Sequence, residues 1–334
     1  MPVPNPRVGA FQRVVIGKED TFGAGQATVK GLVVPFGGTT FDAFEQAPAE
    51  SPELRSDANP PIPPSPGFKD SSGELTLMAA LTFLPVLQKL LTGNLTSTGG
   101  AAPYIHTSKI GADAQPSLWL ERGDLQNTKF KLYKGIRIAG FSLNALKEAQ
   151  HLALRVNLVG MGDEAAESGT PYDAAPVSFQ TTRLVKKDML IKVDTVTSGV
   201  AISLDTNPNR TQEQLRVLDG LYTAAQIAAG PFKIPTTLTG IWDSADVLRG
   251  LCDGAAHVVE ILTQLSGDAT RYFSVKFPEA YFKKTTAWGV TGPGSLQATV
   301  AILPCYAVNA DATAMKMVTT NDNNTTYYGT TLGV

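Results

Sequence analysis

Three histidines and two cysteines are the side chains of this sequence best suited to metal binding, nucleophilic attack or proton transfer. His106, His151 and His257 lie far apart, and none belongs to the HExxH pattern that places two zinc ligands on one helix face. Cys252 and Cys305 are too few for a disulfide framework or a zinc cluster. We therefore expect no metal centre. We expect His151 to lie exposed on a strand, and His257 to serve in packing or capping.

Two further patterns are relevant to cofactor binding or acid–base catalysis. The run Gly23-Ala24-Gly25 resembles the start of a dinucleotide-binding loop, but Thr28 stands where that motif requires its third glycine. Asp163 and Glu164 are adjacent carboxylates, but they lie in a run that is typical of a solvated loop. The sequence contains no Walker motif, no GxSxG elbow and no CxxC pair. The prediction is a protein that is not an enzyme and uses no cofactor.

Size and charge limit the class of protein that these residues belong to. A chain of 334 residues is expected to form two domains of about 150 residues each. A net charge of −2 and a pI near 6.0 argue against a dedicated nucleic-acid binder, which would carry a basic face. We find no run of about 18 apolar residues and no signal-peptide layout at the N-terminus, so we expect no membrane span and a protein made in a cytoplasm.

An internal repeat organises the chain. The segments Thr76–Gly93 and Thr237–Gly254 align without gaps, and each reads as a strand followed by a cap and a short helix that ends at glycine. Thr82 and Asp243 are the expected N-caps. The matched pairs are Thr76/Thr237, Leu77/Leu238, Val86/Val247, Leu87/Leu248, Leu90/Leu251 and Gly93/Gly254.

Period-two alternation predicts the same order of strands around each copy of this repeat. The fold class is therefore mainly β, as two tandem β-sandwich or barrel units, each with a short flanking helix. The first unit is expected over residues 1–182 and the second over 183–308, with a polar C-terminal arm over 309–334. The predicted strands are Phe11–Gly17, Gln26–Val34, Lys131–Phe141, His151–Val159, Met189–Thr195, Val200–Leu204, Arg271–Phe277 and Leu296–Leu303.

Three irregular segments lie between or after these elements. Thr39–Asp70 is rich in proline and cannot form a regular helix or a central strand, but it holds more apolar bulk than a disordered linker does. We interpret it as an arm that orders against a neighbouring subunit through Phe41, Phe44, Leu54, Ile62 and Phe68. Gln212–Ala229 has roughly helical spacing. The run Asn309–Val334, with Tyr327 and Tyr328, is expected to be a contact arm or a flexible tail.

The runs that carry a family resemblance are Ser72–Leu77 followed by Leu84–Gly93, and Leu132–Leu143 leading into His151–Gly160. They resemble the strand–helix unit and the following antiparallel strands of the tail tube proteins of long-tailed bacteriophages. The resemblance covers most of residues 8–182 and, more faintly, 183–308.

The resemblance implies a structural virion protein whose sheets join around a ring into one inner barrel. Rings in this family stack into a hollow tube for DNA passage, and a chain with two units implies three subunits in a pseudo-sixfold ring. It also implies a tape measure protein, a tail terminator and baseplate proteins as partners, and a place in the virion tail after assembly in the host cytoplasm. A bore that passes DNA should not hold it, so few basic side chains should face inward. Lys192 and Asp194 are candidates to line the bore.

Other classes remain open at this stage. Another virion β-protein, such as a tail terminator, a baseplate hub or a decoration protein, is compatible with duplicated units and long arms. A carbohydrate-binding β-module or glycoside hydrolase is the rival from a different class, with Trp119, Trp242 and Trp288 as sugar platforms. A type VI secretion tube subunit shares the fold by resemblance, but it typically has a single unit.

Overall fold

A computed structural model describes residues 12–45, 67–111, 114–146, 148, 150–162, 164–178, 182–198, 201–217, 223–241, 252–284, 297–308, 311–323 and 328. The prediction of a mainly β protein is confirmed, because strands make up most of these residues. One α-helix with both ends defined lies within this part of the chain, together with a single 3-10 turn over Lys186–Asp188.

The first half of the chain contains eleven of the strands and the helix. In order they are β1 (Gln12–Lys18), β2 (Leu32–Val33), β3 (Phe36–Thr39), β4 (Asp42–Glu45), β5 (Lys69–Met78), α1 (Leu84–Thr92), β6 (Thr96–Thr98), β7 (Tyr104–Lys109), β8 (Leu118–Asp124), β9 (Lys129–Leu146), β10 (Ala153–Gly160) and β11 (Val177–Ser178).

The second half contains the other ten. In order they are β12 (Met189–Val193), β13 (Val196–Thr197), β14 (Ala201–Thr206), β15 (Asn209–Leu215), β16 (Gln226–Lys233), β17 (Thr236–Ile241), β18 (His257–Leu265), β19 (Asp268–Lys284), β20 (Gln297–Pro304) and β21 (Lys316–Asn321).

The strand pairings form two series with the same order. In the first series, β2 pairs with β1, β1 with β8, β8 with β9, β9 with β10, β10 with β5, and β5 with β3. In the second series, β13 pairs with β12, β12 with β18, β18 with β19, β19 with β20, β20 with β17, and β17 with β14. All of these pairs are antiparallel. The long strands β9 and β19 occupy the same place in the two series.

The register of the two series also agrees with the sequence repeat. Leu77 lies opposite Leu154, and Leu238 lies opposite Val300. On the other edge of the same strands, Phe36 lies opposite Leu77 and Leu204 lies opposite Leu238. These apolar residues belong to one core cluster, or pack against it, and this cluster joins both halves of the chain. Burial of their side chains stabilises the fold.

A joint between the two series makes one continuous sheet. The end of β9 pairs with β14, where Leu143 lies opposite Thr206 and Ala145 opposite Leu204. The chain then passes so close to β9 that a Cβ atom on Gly140 would lie 2.3 Å from the carbonyl oxygen of Pro208. We call the resulting eight strands the continuous sheet. Their order is β3-β5-β10-β9-β14-β17-β20-β19.

Helix α1 buries nearly all of its side chains, which explains its apolar sequence. Pro85 lies in its first turn, and Gly93 ends it with a left-handed φ of 84°, as predicted. Gly254, the matching glycine of the repeat, also has a left-handed φ, of 89°. The predicted N-cap is wrong, because the helix begins after Phe83 without a side-chain cap and the Thr82 hydroxyl is buried without a partner. The predicted helix before Gly254 lies outside the described residues, together with Asp243.

Three further predictions are wrong. The described residues of the segment Gln212–Ala229 (212–217 and 223–229) are not helical but belong to the β15–β16 hairpin, because cross-strand hydrogen bonds outweigh weak helical spacing. Residues 316–321 are not part of a tail; they form β21, which lies between β19 and β7. The predicted strand Gln26–Val34 is reduced to Leu32–Val33, since Gln26 and Lys30 form a local turn.

Candidate assembly surfaces

One face of the continuous sheet is polar. The side chains that alternate with the core residues are mainly hydroxyl, amide and charged groups, and they line a concavity of about 860 Å³ where the two series meet. These groups include Glu74, Thr76, Ser142, Asn144, Arg155, Asp205 and Thr237. Cross-strand contacts join them: Asn144 donates to the carboxylate of Asp205, and the hydroxyls of Thr239 and Thr299 lie 3.1 Å apart.

The charges on this polar face are balanced. Glu74 and Asp205 oppose Arg155 and Lys186 in the lining of the concavity, and Arg155 Nε lies 3.9 Å from Glu74 Oε1. The Arg155–Glu74 pair is exposed in high-dielectric surroundings and holds little energy, and Lys186 Nζ lies 3.0 Å from its own partner Glu148 Oε2. A face of this kind has no basic stripe to retain a polyanion.

Both ends of the continuous sheet are open within the described residues. Within the described residues, β3 pairs with β5 alone, and residues 281–284 of β19 pair with β20 alone. β3 and this end of β19 therefore have no described neighbour on their other edge. Open edges carry unpaired backbone N–H and C=O groups, which can pair with a strand of another chain.

The β15–β16 hairpin covers the end of β10 in the first series. Gln214 Nε2 donates to the carbonyl oxygen of Gly160 at 2.6 Å, and the Ala224 N–H donates to the carbonyl oxygen of Met161 at 2.8 Å. From the same side, Arg137 Nη1 donates to the carbonyl oxygen of Ile227 at 2.6 Å. Ile227 of β16 and Ala224, in the connection before it, are fully buried. The hairpin is therefore packed against the first series.

The end of β20, in the second series, carries an exposed apolar patch. Leu303 is 48% exposed, Tyr306 63% and Val308 89%. Leu303 lies on the same face of β20 as Thr299 and Ala301, because the intervening residues Val300 and Ile302 are buried. We call these three residues, Leu303, Tyr306 and Val308, the β20 patch. Large apolar side chains that are exposed this close together along the chain mark a candidate interaction site.

A buried polar network ties β21 to the first half of the chain. His106 is fully buried, with Nδ1 2.7 Å from Ser97 Oγ and Nε2 3.1 Å from Asn321 Oδ1. Asn321 Nδ2 donates to the Leu81 carbonyl oxygen and to the Tyr328 hydroxyl, which in turn donates to the Thr82 carbonyl oxygen. Burial lowers the pKa of His106, although the hydrogen bond with Asn321 opposes this shift. The neutral imidazole completes the network when its proton lies on Nε2.

The side chains considered for catalysis are dispersed. His151 is exposed, as predicted. His257 Nδ1 lies 2.7 Å from Asp194 Oδ2 in a surface pair. Desolvation alone would raise the pKa of the Asp194 carboxyl, but the hydrogen bond with His257 helps to lower it below its ordinary value. Glu164 is paired with Lys131 Nζ at 2.5 Å, while Asp163 lies outside the described residues. Among the residues that the structure describes, no group of three His, Cys, Asp or Glu side chains could hold a metal ion.

The remaining candidates have structural places. Gly23, from the loop compared with dinucleotide motifs, donates its N–H to Glu19, and burial raises the pKa of Glu19. Trp119 is fully buried and presents no sugar platform, and Trp242 and Trp288 lie outside the described residues. Lys192 lies on β12 and Asp194 in the turn after it, and β12 pairs with β18 and is not one of the eight strands of the continuous sheet.

The residues predicted to contact a neighbour have different environments. Phe41 is fully buried in its own chain, with its ring edge-to-face against Tyr133 at 5.3 Å, and Tyr328 is buried in the network around His106. Neither residue is accessible to another subunit in this structure. Phe68 is 46% exposed and lies 4.6 Å from the Arg216 guanidinium. The side chain of Phe44, together with Leu54, Ile62 and Tyr327, lies outside the described residues.

Sequence reasoning missed the β20 patch and the docked hairpin. The alternation that identified β20 also places Leu303 on the face otherwise occupied by Thr299 and Ala301, which was a readable signal of an exposed apolar residue. The docking of β15–β16 on β10 is a contact between distant parts of the chain, and no local pattern specifies it.

No protein-family model and no curated protein matches this sequence. Within the described residues, no helix has the length and apolar character needed to cross a membrane.

Proposed function

We propose that this chain is the major subunit of a bacteriophage-type tail tube, a non-enzymatic virion protein whose rings stack into a hollow conduit for DNA ejection. The observation that carries the proposal is the continuous sheet, which spans both series, has one polar face and, among the described residues, is open at both edges. Pairing of these edges with other copies would close such sheets into a ring.

The joint between the two series supports a head-to-tail arrangement of copies. Within the chain, the end of β9 pairs with β14, the edge strand of the second series. β19 is the counterpart of β9, and β3 is the counterpart of β14. The same joint between copies therefore places the end of β19 beside β3 of the next copy. A heterologous contact of this kind closes into a ring when its rotation permits.

The polar face supports an inner wall that DNA can pass. Its acidic and basic groups are balanced in the concavity at the joint, so phosphate groups would gain little from staying there. In the proposed ring of three chains, each chain contributes two series, and together they form a wall with pseudo-sixfold symmetry. A tape measure protein, a tail terminator and baseplate proteins are the partners proposed for it, and the virion tail, assembled in the host cytoplasm, is its location.

Negative-stain electron microscopy of the purified chain over a concentration series tests the proposal. Hollow tubes or stacked rings with threefold or pseudo-sixfold end views are the expected result. Isolated rings that never stack would instead favour a terminator, hub or decoration protein. Chains that stay monomeric and fail to join tails when the other tail proteins are supplied would refute the proposal.

A further inference from the structure

The same position is covered in one series and exposed in the other. Leu154 and Val300 are register equivalents, since they lie opposite Leu77 and Leu238. Six residues further along the chain stand Gly160, the last residue of β10, and Tyr306, two residues beyond the end of β20. Gly160 is buried, paired with Ser71 of β5, and its carbonyl oxygen accepts from Gln214 of the β15–β16 hairpin, whereas Tyr306 is 63% exposed.

The equivalence of β10 and β20 continues to the ends of both strands, although β9 carries a bulge opposite Asn157 and Leu158 that β19 lacks. Ile138 lies opposite Leu158 in the first series, and Ala280 lies opposite Pro304 in the second. The Cys305 N–H continues the second ladder by donating to the Glu279 carbonyl oxygen at 2.8 Å. The β20 patch is therefore the counterpart of the surface on which the β15–β16 hairpin docks.

The counterpart of that hairpin is also present. The β15–β16 hairpin lies between β14 and β17 in the second series. The corresponding place in the first series, between β3 and β5, is taken by β4. This strand pairs with the first residues of β5, from Asp42 opposite Ser72 to Glu45 opposite Lys69. We call this pair the β4–β5 hairpin. In its own chain it lies beside the β15–β16 hairpin, where Arg216 contacts Asp70, and not at the β20 patch.

We propose that the β20 patch binds a second copy of this chain through the β4–β5 hairpin of that copy. The β15–β16 hairpin belongs to the second series and packs against the first series of the same chain. By the same relation, the β4–β5 hairpin of the next copy packs against the second series of this copy. Burial of Leu303, Tyr306 and Val308 supplies the apolar part of the contact, and Phe68 adds an exposed ring beside the hairpin. This inference rests on the head-to-tail arrangement of the proposed function.

Cross-linking locates the contact. Gln212 of the second series lies with Val159 of the first in one surface depression. Counting from the equivalent residues Thr39 and Thr206, which lie opposite Leu75 and Thr236, places Glu45 where Gln212 stands, and Cys305 where Val159 stands. A chain with Cys252→Ser and Glu45→Cys, treated with a short bismaleimide, should give intermolecular products that join position 45 to Cys305. Leu125→Cys, at a 52% exposed apolar residue of the β8–β9 turn, is the matched control and should give none.

Association measurements test the patch without a new cysteine. Tyr306→Glu and Val308→Glu change exposed side chains, so their thermal unfolding should match that of the wild type. Sedimentation over a concentration series should show self-association weakened by at least about tenfold, because each variant replaces buried apolar area by a charge. Leu125→Glu should associate as the wild type does.

The outcomes separate this inference from the proposed function. Cross-links to Cys305 and weaker association of both variants support the inference, even if no tube forms and the proposed function fails. Tubes that form normally from both variants, without the cross-link, overturn the inference and leave the function standing. A wild-type chain that stays monomeric at every concentration overturns the inference as well.

Discussion

Nε2 of His106 lies 3.1 Å from Oδ1 of Asn321, and this contact joins β7, in the first half of the chain, to β21, which also pairs with β19 of the second series. Both residues are buried, so each hydrogen bond of the network matters more than one at the surface. The two halves of the chain are therefore held together by polar contacts of defined direction as well as by a shared apolar core.

Tyr328→Phe should destabilise the chain by about 1 kcal/mol. The change removes the hydroxyl that accepts from Asn321 Nδ2 and donates to the Thr82 carbonyl oxygen, and it leaves the ring in place. Urea unfolding measures the difference. Tyr306→Phe, at an exposed ring, is the control and should change stability by a few tenths of a kcal/mol at most. Equal effects of the two changes would show that the network does not stabilise the fold.

The unfolding free energy should fall as the pH is lowered below about 6.5, the ordinary pKa of histidine. Burial lowers the pKa of His106 in the folded chain, so the unfolded chain binds the proton more readily. The stability is fully present above 6.5 and is lost as the pH falls toward the lowered folded pKa.

Glu19 acts in the opposite sense, since its raised pKa gives stability that is lost as the pH rises through the folded value. The contribution of His106 is therefore read from the difference between the wild type and His106→Gln in urea unfolding from pH 7.5 to about 5. Parallel curves for the two proteins would contradict it.

Arg13→Met should cost about 3 kcal/mol, because it leaves the Glu121 carboxylate buried without its cation. Arg13 Nη2 lies 2.9 Å from Glu121 Oε1, and the Glu121 side chain is nearly inaccessible to solvent. Arg155→Met, which breaks an exposed pair with Glu74, is the control and should cost less than about 1 kcal/mol. Thermal or urea unfolding of both variants gives the comparison, and similar costs would disprove the assignment.

Gly140→Ala should destabilise the joint between the series by about 1–3 kcal/mol, since the added Cβ would meet the Pro208 carbonyl oxygen. Gly169→Ala, where a Cβ meets nothing within 4 Å, is the matched control. Hydrogen exchange at β14 should rise in the first variant and stay unchanged in the second. Protection that stays the same in both would show that the joint tolerates the extra atom.

Gly38→Lys should leave the monomer folded and prevent assembly. A Cβ at Gly38 meets nothing within 4 Å, so the side chain fits, and a lysine on an open edge strand opposes pairing with another chain. Gly100→Lys, equally unhindered and in the β6–β7 connection, should assemble as the wild type does. Electron microscopy and circular dichroism read out the two properties. Tubes of Gly38→Lys would exclude β3 from the proposed joint.

Local patterns predicted the strands well and the surfaces poorly. Alternation of apolar residues identified β10, β19 and β20, and glycine marked the end of α1 at Gly93, because these signals arise within a few residues. The β15–β16 hairpin and β21 were misread, since their positions depend on partners far away in sequence: Gly140 lies opposite Asn209, and Thr107 opposite Val318. The buried place of Phe41 could not be predicted either, because its partner Tyr133 lies on β9.

The place of β21 between β19 and β7 has a consequence for synthesis on the ribosome. β7 emerges early, but the strand that satisfies its second edge emerges only after β8 to β20 have been made. A nascent chain thus keeps that edge of β7 exposed through most of its translation, and contacts of such long sequence separation form slowly. Synthesis of β21 therefore decides whether these edges are covered. A chain stalled before Lys316 would present unpaired edges and become a target for chaperones or proteases.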